Sequence, residues 1–431
     1  MSDPQPFAGL EVVEFGQFIA VPYCGQLLAD GGARVIKVET LSGDPVRALA
    51  PLAPGESRHF ISRNRGKHSL PLDLKHPHAT RIVEALVARA DVVLTNFRPG
   101  LAAELGLDYA TLLARHPRII VGNVSGFGTE GPDAGLGAMD MVIQARTGLM
   151  VAAGRVKDGV PQATDPPITD YYCATALAFG IASALLRRTQ TGRGGEVNTS
   201  LLMSSLVLQN NVMLRVQQVD GPVHERTLAR LHALRAAGAP FTDQAALNAA
   251  VRPPNTANVY YRSYATKDAA IAIACVGPAM QRAFMRALAL TDDAHQGRPP
   301  APEAFAEYYA DLGRRSEAVM RERTTAEWRK VFDGYGIPGG EVKLPLEMLD
   351  DPQPHANGMF HDVPHPQLGP VRVVAPPVKL DADGFRPGPA TPPFGSEVRQ
   401  LLGELGFSAA DVARFIADGA TCETLQPPSR T

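Results

Sequence analysis

Asp170 has the setting in this chain that best suits covalent chemistry. It lies in Ile168-Thr169-Asp170-Tyr171-Tyr172-Cys173-Ala174, at the head of an apolar, alanine-rich run closed by Arg187, Arg188 and Gly192. That run reads as a buried helix from Asp170 to Arg188, because basic residues and a glycine mark a helix C-terminus. A carboxylate at the head of a helix has two readings. It can be an N-cap that accepts backbone N–H groups. It can instead be a nucleophile, held in the favourable field of the helix N-terminus, that splits one difficult group transfer into easier covalent steps. By residue type alone the capping role is the default.

Other constellations carry less. Gly126, Gly128 and Gly131 fit G-x-G-x-x-G after a predicted strand, but Pro132 and Gly135 continue a loop where a dinucleotide site needs a helix. Ser125 stands outside a G-x-S-x-G elbow. His76 and His78 have no further ligand cluster near them in sequence, so no metal site is expected. Cys24, Cys173, Cys275 and Cys422 are scattered without a C-x-x-C pair and read as reduced thiols of a cytoplasmic protein, with Cys173 packing in the core.

The elements that must position Asp170 read as α/β. Leu10 to Phe15, Ala33 to Glu39, Leu70 to Leu74, Asp91 to Phe97 and Arg118 to Phe127 are short apolar runs. Helical patterns at Ala20 to Asp30 and Pro77 to Ala90 separate them, which implies parallel strands with crossover helices and ligands at the carboxyl ends of the strands. Residues 220–251 are polar and poorly patterned. A second unit begins at Val259-Tyr260-Tyr261, reads as a hairpin turning at Lys267-Asp268, and continues in helices to Phe332. Pro and Gly are dense beyond Gly336, as in an extended connection, and two short helices close the chain. A length of 431 residues suits two or three such units. A net charge of −2 gives no footprint for nucleic acid. The N-terminus lacks a signal-peptide pattern, and the longest apolar run, Tyr171 to Leu186, is short for a bilayer, so no membrane partner is expected.

Eight segments, in order, resemble the class III CoA-transferase family, which includes formyl-CoA transferase, carnitine CoA-transferase and α-methylacyl-CoA racemase. They are Gly9 to Glu39 (G-L-E-V-V-E-F through L-L-A-D-G-G-A-R-V-I-K-V-E), Arg63 to Lys75 (R-N-R-G-K-H-S-L-P-L-D-L-K), Ala90 to Gly100 (A-D-V-V-L-T-N-F-R-P-G), Pro117 to Gly128 (P-R-I-I-V-G-N-V-S-G-F-G), Ile168 to Ala174 (I-T-D-Y-Y-C-A), Thr191 to Gly194 (T-G-R-G), Gly336 to Gly340 (G-I-P-G-G) and His365 to Val371 (H-P-Q-L-G-P-V). The resemblance implies a Rossmann-like large domain with a parallel sheet over 1–200, completed by 400–431. It further implies a linker at 201–224, a smaller α+β domain over 225–335, an extended linker over 336–399 and an interlocked homodimer.

The resemblance also implies the chemistry. Asp170 takes the place of the family nucleophile, which reverses the capping default. Ala20, Leu72, Lys75, Asn96, Phe97 and Arg98 fall at positions that face coenzyme A, with Phe97 placed to pack on the adenine; a solvated surface charge is the plain alternative for Lys75 and Arg98. Coenzyme A is a substrate here, and no tightly bound cofactor or metal is implied. Ile19, Met139 and Asp140 fall in the substrate pocket. Ile19, Thr40 and Glu104 replace a family glutamine and two arginines, which argues against formyl-CoA:oxalate specificity. Met139 replaces the histidine of the racemase branch and cannot act as acid or base. Asp140 either positions Asp170 or the substrate, or bonds to backbone as loop aspartates do.

The expected activity is therefore transfer of CoA from an acyl-CoA to a carboxylic acid. Arg63, Arg65, Arg146 and His59 are candidates to pair with the second carboxylate of a dicarboxylic acid. The alternatives are a racemase or epimerase of acyl-CoA and a non-catalytic CoA-binding protein.

Overall fold

Adjacent valines at the head of the chain face opposite ways. Val12 and Val13 lie on strand β1 (Glu11–Glu14), where successive side chains alternate between the two faces. Val13 joins Ile36, Leu70 and Val93 under one helical layer, and Val12 joins Val35, Val92 and Leu94 under the other. Covering both faces favours apolar strands, and the charged residues that the strands carry at Glu14, Lys37 and Lys67 are buried as ion pairs. The computed structural model describes residues 4–251, 258–381 and 383–427. The chain forms two units, Met1–Arg215 with Gln353–Thr431, and Val216–Pro352.

The first unit holds a six-stranded sheet. After β1 come β2 (Arg34–Glu39), β3 (Lys67–Pro71), β4 (Val92–Thr95), β5 (Ile120–Ser125) and β6 (Gly195–Ser200). Every pairing is parallel, in the order β6-β5-β4-β1-β2-β3. The winding reverses between β1 and β4, which opens a crevice at their carboxyl ends. Helices α1 (Ala20–Asp30), α2 (Arg58–Asn64), α3 (Ala79–Arg89), α4 (Asp140–Arg146) and α5 (Ile168–Thr191) belong to this unit. Ile82 and Leu86 of α3 cover one face together with Leu401 and Phe415 of the C-terminal helices Val398–Glu404 and Ala409–Ala417. Val21 and Leu28 of α1 cover the other with Cys173, Leu177 and Ile181 of α5. Helix α5 has 24 residues and is long and apolar enough by composition to cross a bilayer, longer than the run the sequence suggests. Its buried stripe nevertheless packs on α1 and the sheet, as in a core helix.

The second unit has a three-stranded antiparallel sheet of Tyr261–Ala265, Ala270–Ala274 and Gly339–Glu341. The first two strands turn through Thr266 to Ala269, where the Thr266 N–H donates to the Ala269 carbonyl at 3.0 Å. Trp328 stacks on Phe332, 5.5 Å between centroids, in a core with Tyr264 and Phe284.

Several spans differ from the pattern reading. Residues 220–251 fall almost wholly in helices Gln217–Ala236 and Phe241–Val251. In the former only Gly221 is buried, so no apolar stripe exists to betray it. The span 201–224, expected as a linker, contains helix Leu201–Val207 and the start of Gln217–Ala236. Within 336–399, expected as extended linker, Gly339–Glu341 completes the second unit's sheet and Phe360–His365 pairs with Gly369–Val374 as a hairpin. Extended backbone looks alike in a linker and in a strand until its partner is known. Residues 252–257, in the expected small domain, and 428–431, at the expected C-terminal completion, lie outside the described residues.

A buried charge network ties β1, β2 and β3 together around Glu14 at the carboxyl end of β1. Glu14 of β1 accepts from Lys37 of β2 and Lys67 of β3, each at 3.0 Å. Lys37 also pairs with Asp44 at 3.0 Å, and Lys67 donates to the Pro22 carbonyl at 2.7 Å. Helix α1 comes so close that a Cβ on Gly25 would lie 1.9 Å from Oε2 of Glu14. Removing one partner of a buried pair leaves a charge without compensation. Lys37→Met is expected to lower unfolding stability by about 3 kcal/mol or more, read from urea denaturation.

Candidate active site

Helix α5 begins after Pro167, whose side chain offers no cap. The cap comes from another helix. Asp140, the first residue of α4, is buried, and its Oδ1 accepts from the backbone N–H of Thr169 at 2.9 Å and of Asp170 at 3.2 Å. Its Oδ2 accepts from Nε2 of Gln144. Gln144 in turn donates to Oγ1 of Thr164 at 3.0 Å and accepts from the Thr164 N–H at 3.0 Å. Asp140 thus satisfies N–H groups that a helix N-terminus otherwise leaves orphaned.

Asp170 is the third residue of α5 and not its N-cap, which corrects the default reading of residue type. Its half-buried carboxylate makes no hydrogen bond or ion pair with the described residues. Burial pushes its pKa up to about 7; the like charge of Asp140 adds to the rise, and the Arg63 guanidinium opposes it.

Arg63 projects from α2 and is only 6% exposed. Its Nε donates to the Tyr171 hydroxyl at 3.2 Å and its Nη1 to the His59 carbonyl at 3.0 Å. The Tyr171 ring is held edge-on by Tyr23 of α1, with centroids 4.9 Å apart. Of the four basic side chains considered for a second carboxylate, Arg63 and His59 stand together on α2, with Arg63 close enough to Asp170 to act on its charge. Arg65 is turned away into a buried two-point pair with Asp30, at 3.1 and 2.6 Å, and Arg146 pairs with Asp133 at 3.1 Å on the surface.

The expected coenzyme A positions gather at the crevice. Leu72, Lys75, Asn96, Phe97 and Arg98 all line one cavity of about 1040 Å³ at the carboxyl ends of the strands, with Phe15, Gln17 and Thr40. Within it Asn96 spans the switch point, accepting from the Gln17 N–H at 3.0 Å and donating to the Gln17 carbonyl at 2.8 Å. Phe97 lies against Phe15, centroids 5.8 Å apart. Lys75 is exposed, and the exposed Arg98 pairs with Glu104 at 2.9 Å. Ala20 is buried in the core at the start of α1 and does not line this cavity.

Ile19 immediately precedes α1, and Met139, half exposed, immediately precedes α4. Phe18 has a φ of 67°, a left-handed conformation costly for a residue with a Cβ. Its N–H donates to Oδ1 of Asp44 at 3.3 Å, which ties this strained turn to the buried charge network. Gln144 and Thr164 escaped the sequence reading, although Gln144 sits at the i+4 position that faces Asp140. Among the described residues no group of three metal-binding side chains clusters, and all four cysteines are free and buried.

A family model described as CoA-transferase family III matches residues 7–398. The chain belongs to that family. Cinnamoyl-CoA:phenyllactate CoA-transferase of Clostridium sporogenes is 28% identical, over 96% of this chain and 96% of its own. Succinyl-CoA–D-citramalate CoA-transferase of Chloroflexus aurantiacus is 30% identical, over 96% of this chain and 98% of its own. The solved structure of a CAIB/BAIF family protein from Brucella suis superimposes with a TM-score of 0.72 at 27% identity, covering 94% of this chain and 100% of the other. This protein is a family III CoA-transferase, an enzyme whose substrates are CoA thioesters and carboxylates.

The transferase's two aspartates make opposite demands that pH separates. Asp140→Asn keeps an acceptor oxygen for the α5 N–H groups and removes the like charge. The pKa of Asp170 is expected to fall below about 7 in that variant, read from the pH titration of its carboxyl NMR signal. Asp170 has a folded-state pKa above its unfolded one, so its ionised form costs stability, increasingly as pH rises from about 4 through about 7. Asp170→Asn is expected to raise the melting temperature at pH 8 by about 2–4 °C, a gain that vanishes near pH 4.

Proposed function

We propose that this transferase moves CoA from an acyl-CoA to a carboxylic acid through covalent intermediates on Asp170. The observation that carries this reading is a carboxylate at the head of α5 that does not cap its helix and, among the described residues, pairs with no cation. Asp170 attacks the thioester carbonyl, the C–S bond breaks, and a mixed anhydride and CoA thiolate result. The thiolate attacks the aspartyl carbonyl and releases the donor acid, leaving an aspartyl-CoA thioester. The acceptor carboxylate displaces the thiolate to form a second anhydride. The thiolate then attacks the acceptor's carbonyl, which yields the new acyl-CoA and restores Asp170. No step needs a redox partner, and each anhydride stores the activation of the bond it replaces.

The cavity at the crevice is the place this reading assigns to coenzyme A, with Lys75 and Arg98 for its phosphates and Phe97 for its adenine. A dicarboxylic acceptor is supported by the citramalate-transferring relative and by the basic pair Arg63 and His59. A homodimer, interlocked as the resemblance implies, is supported by apolar side chains left open on the first unit. Phe179 is 76% exposed, Leu186 65% and Leu214 74%, an arrangement typical of a covered surface. Four free thiols fit a reducing compartment such as the cytoplasm.

Hydroxylamine trapping with acyl-CoA, followed by peptide mass spectrometry, is expected to place the adduct on Asp170. Asp170→Ala is expected to lose activity by at least about a thousandfold; full activity without an adduct overturns the reading. Lys75→Ala is expected to raise KM for acyl-CoA several-fold with kcat unchanged, the signature of lost ground-state binding.

A further inference from the structure

Six Lys and Arg side chains are buried in the first unit, and five of them touch a carboxylate. Lys37 and Lys67 share Glu14, Arg47 pairs with Glu39, Arg65 with Asp30, and Arg188 with Asp91. Arg63 is the exception: among the described residues it has no carboxylate partner, although it is 6% exposed. A buried guanidinium held only by neutral groups is expensive unless something else supplies the negative charge. Its neutral partners, the Tyr171 hydroxyl and the His59 carbonyl, orient it without neutralising it.

We propose that Arg63 receives the non-reacting carboxylate of a dicarboxylic acceptor, and that it is released for this role only when Asp170 is acylated. The inference rests on Asp170 being the nucleophile. The groups around Arg63 and Asp170 are Asp140 from α4, His59 on α2, Tyr23 from α1, and Tyr171 and Cys173 on α5. Asp140 is already used on the N–H groups of Thr169 and Asp170 and on Gln144. In the resting enzyme the ionised Asp170 offsets part of the Arg63 charge and repels an incoming anion. Conversion of Asp170 to the aspartyl-CoA thioester removes that negative charge and leaves Arg63 as the uncompensated cation. The acceptor's remote carboxylate then pairs with it, and its other carboxylate attacks the aspartyl carbonyl as the C–S bond breaks. A guanidinium on the attacking carboxylate would instead draw electron density from the nucleophile and hold the ground state. A planar fork suited to two-point carboxylate binding fits the remote role.

Asp170→Asn reproduces the uncharged aspartyl state, and succinate and butyrate differ by the second carboxylate. Titration calorimetry at pH 8 is expected to show succinate binding Asp170→Asn about tenfold tighter than the wild type, with butyrate changed little. Adding Arg63→Gln is expected to erase the gain, and adding Arg63→Lys to keep part of it. Equal succinate affinity in wild type and Asp170→Asn, including no binding to either, overturns the proposal, as does an undiminished gain in the Arg63→Gln background.

A single-turnover experiment separates this inference from the one beneath it. With succinyl-CoA, Arg63→Gln is expected to form the Asp170 adduct, which also reports an intact fold, and to pass CoA to succinate at least about tenfold more slowly than wild type. Absence of an adduct in the wild type removes the nucleophile reading. An adduct in both proteins with equal discharge removes only the role of Arg63.

Discussion

The active-site geometry depends on a hydrogen-bonded cap that crosses from one helix to another. A helix N-terminus needs acceptors for its first N–H groups, and the residue best placed by sequence to supply one is often an aspartate in its own first turn. In this transferase Asp140 of α4 supplies it to α5. Asp170 is thereby excused from capping, and among the described residues both its carboxylate oxygens stay without a hydrogen bond. The same contact brings a second negative charge near, which, with burial, raises the Asp170 pKa to about 7. The cap that leaves the Asp170 carboxylate unbonded among the described residues thus also helps to set the pH at which it ionises. Arg63 opposes that rise.

The sheet holds this arrangement at the place where its winding reverses. The connections leaving the paired strands β1 and β4 diverge there, and Asn96 joins them through two hydrogen bonds to the backbone of Gln17. The chain then passes through the strained Phe18 to Ile19 and α1, whose Tyr23 steadies Tyr171 and through it Arg63. The buried charges of Glu14, Lys37, Lys67 and Asp44 lie beneath this loop and join three strands to it. Among the described residues, every buried Lys and Arg of the first unit except Arg63 pairs with a carboxylate. Glu104 draws Arg98, which lines the crevice, into a surface pair.

Much of this was legible in the residues. The alternation of short apolar strands and amphipathic helices announced a parallel sheet, and α1 begins and ends where its pattern does. The clustering of Leu72, Lys75, Asn96, Phe97 and Arg98 in one cavity followed from their family positions. The helix Gln217–Ala236 stayed hidden because it buries almost nothing. The hairpin Phe360–His365 with Gly369–Val374 stayed hidden because proline and glycine density describes extended chain without naming its partner.

What the sequence by itself determined is therefore the alternation of strands and helices in the first unit, the family, and the place of Asp170 at the head of an apolar helix. Periodicity and motif are local properties, carried by residues near one another in the chain. The tertiary structure alone decided that Asp140 caps α5 from 30 residues away, that Arg65 is spent on Asp30 while its near neighbour Arg63 is not, and that Asp170 titrates near neutrality. These are matters of charge and hydrogen bonding across space, and they exist only once folding has removed water from between the groups.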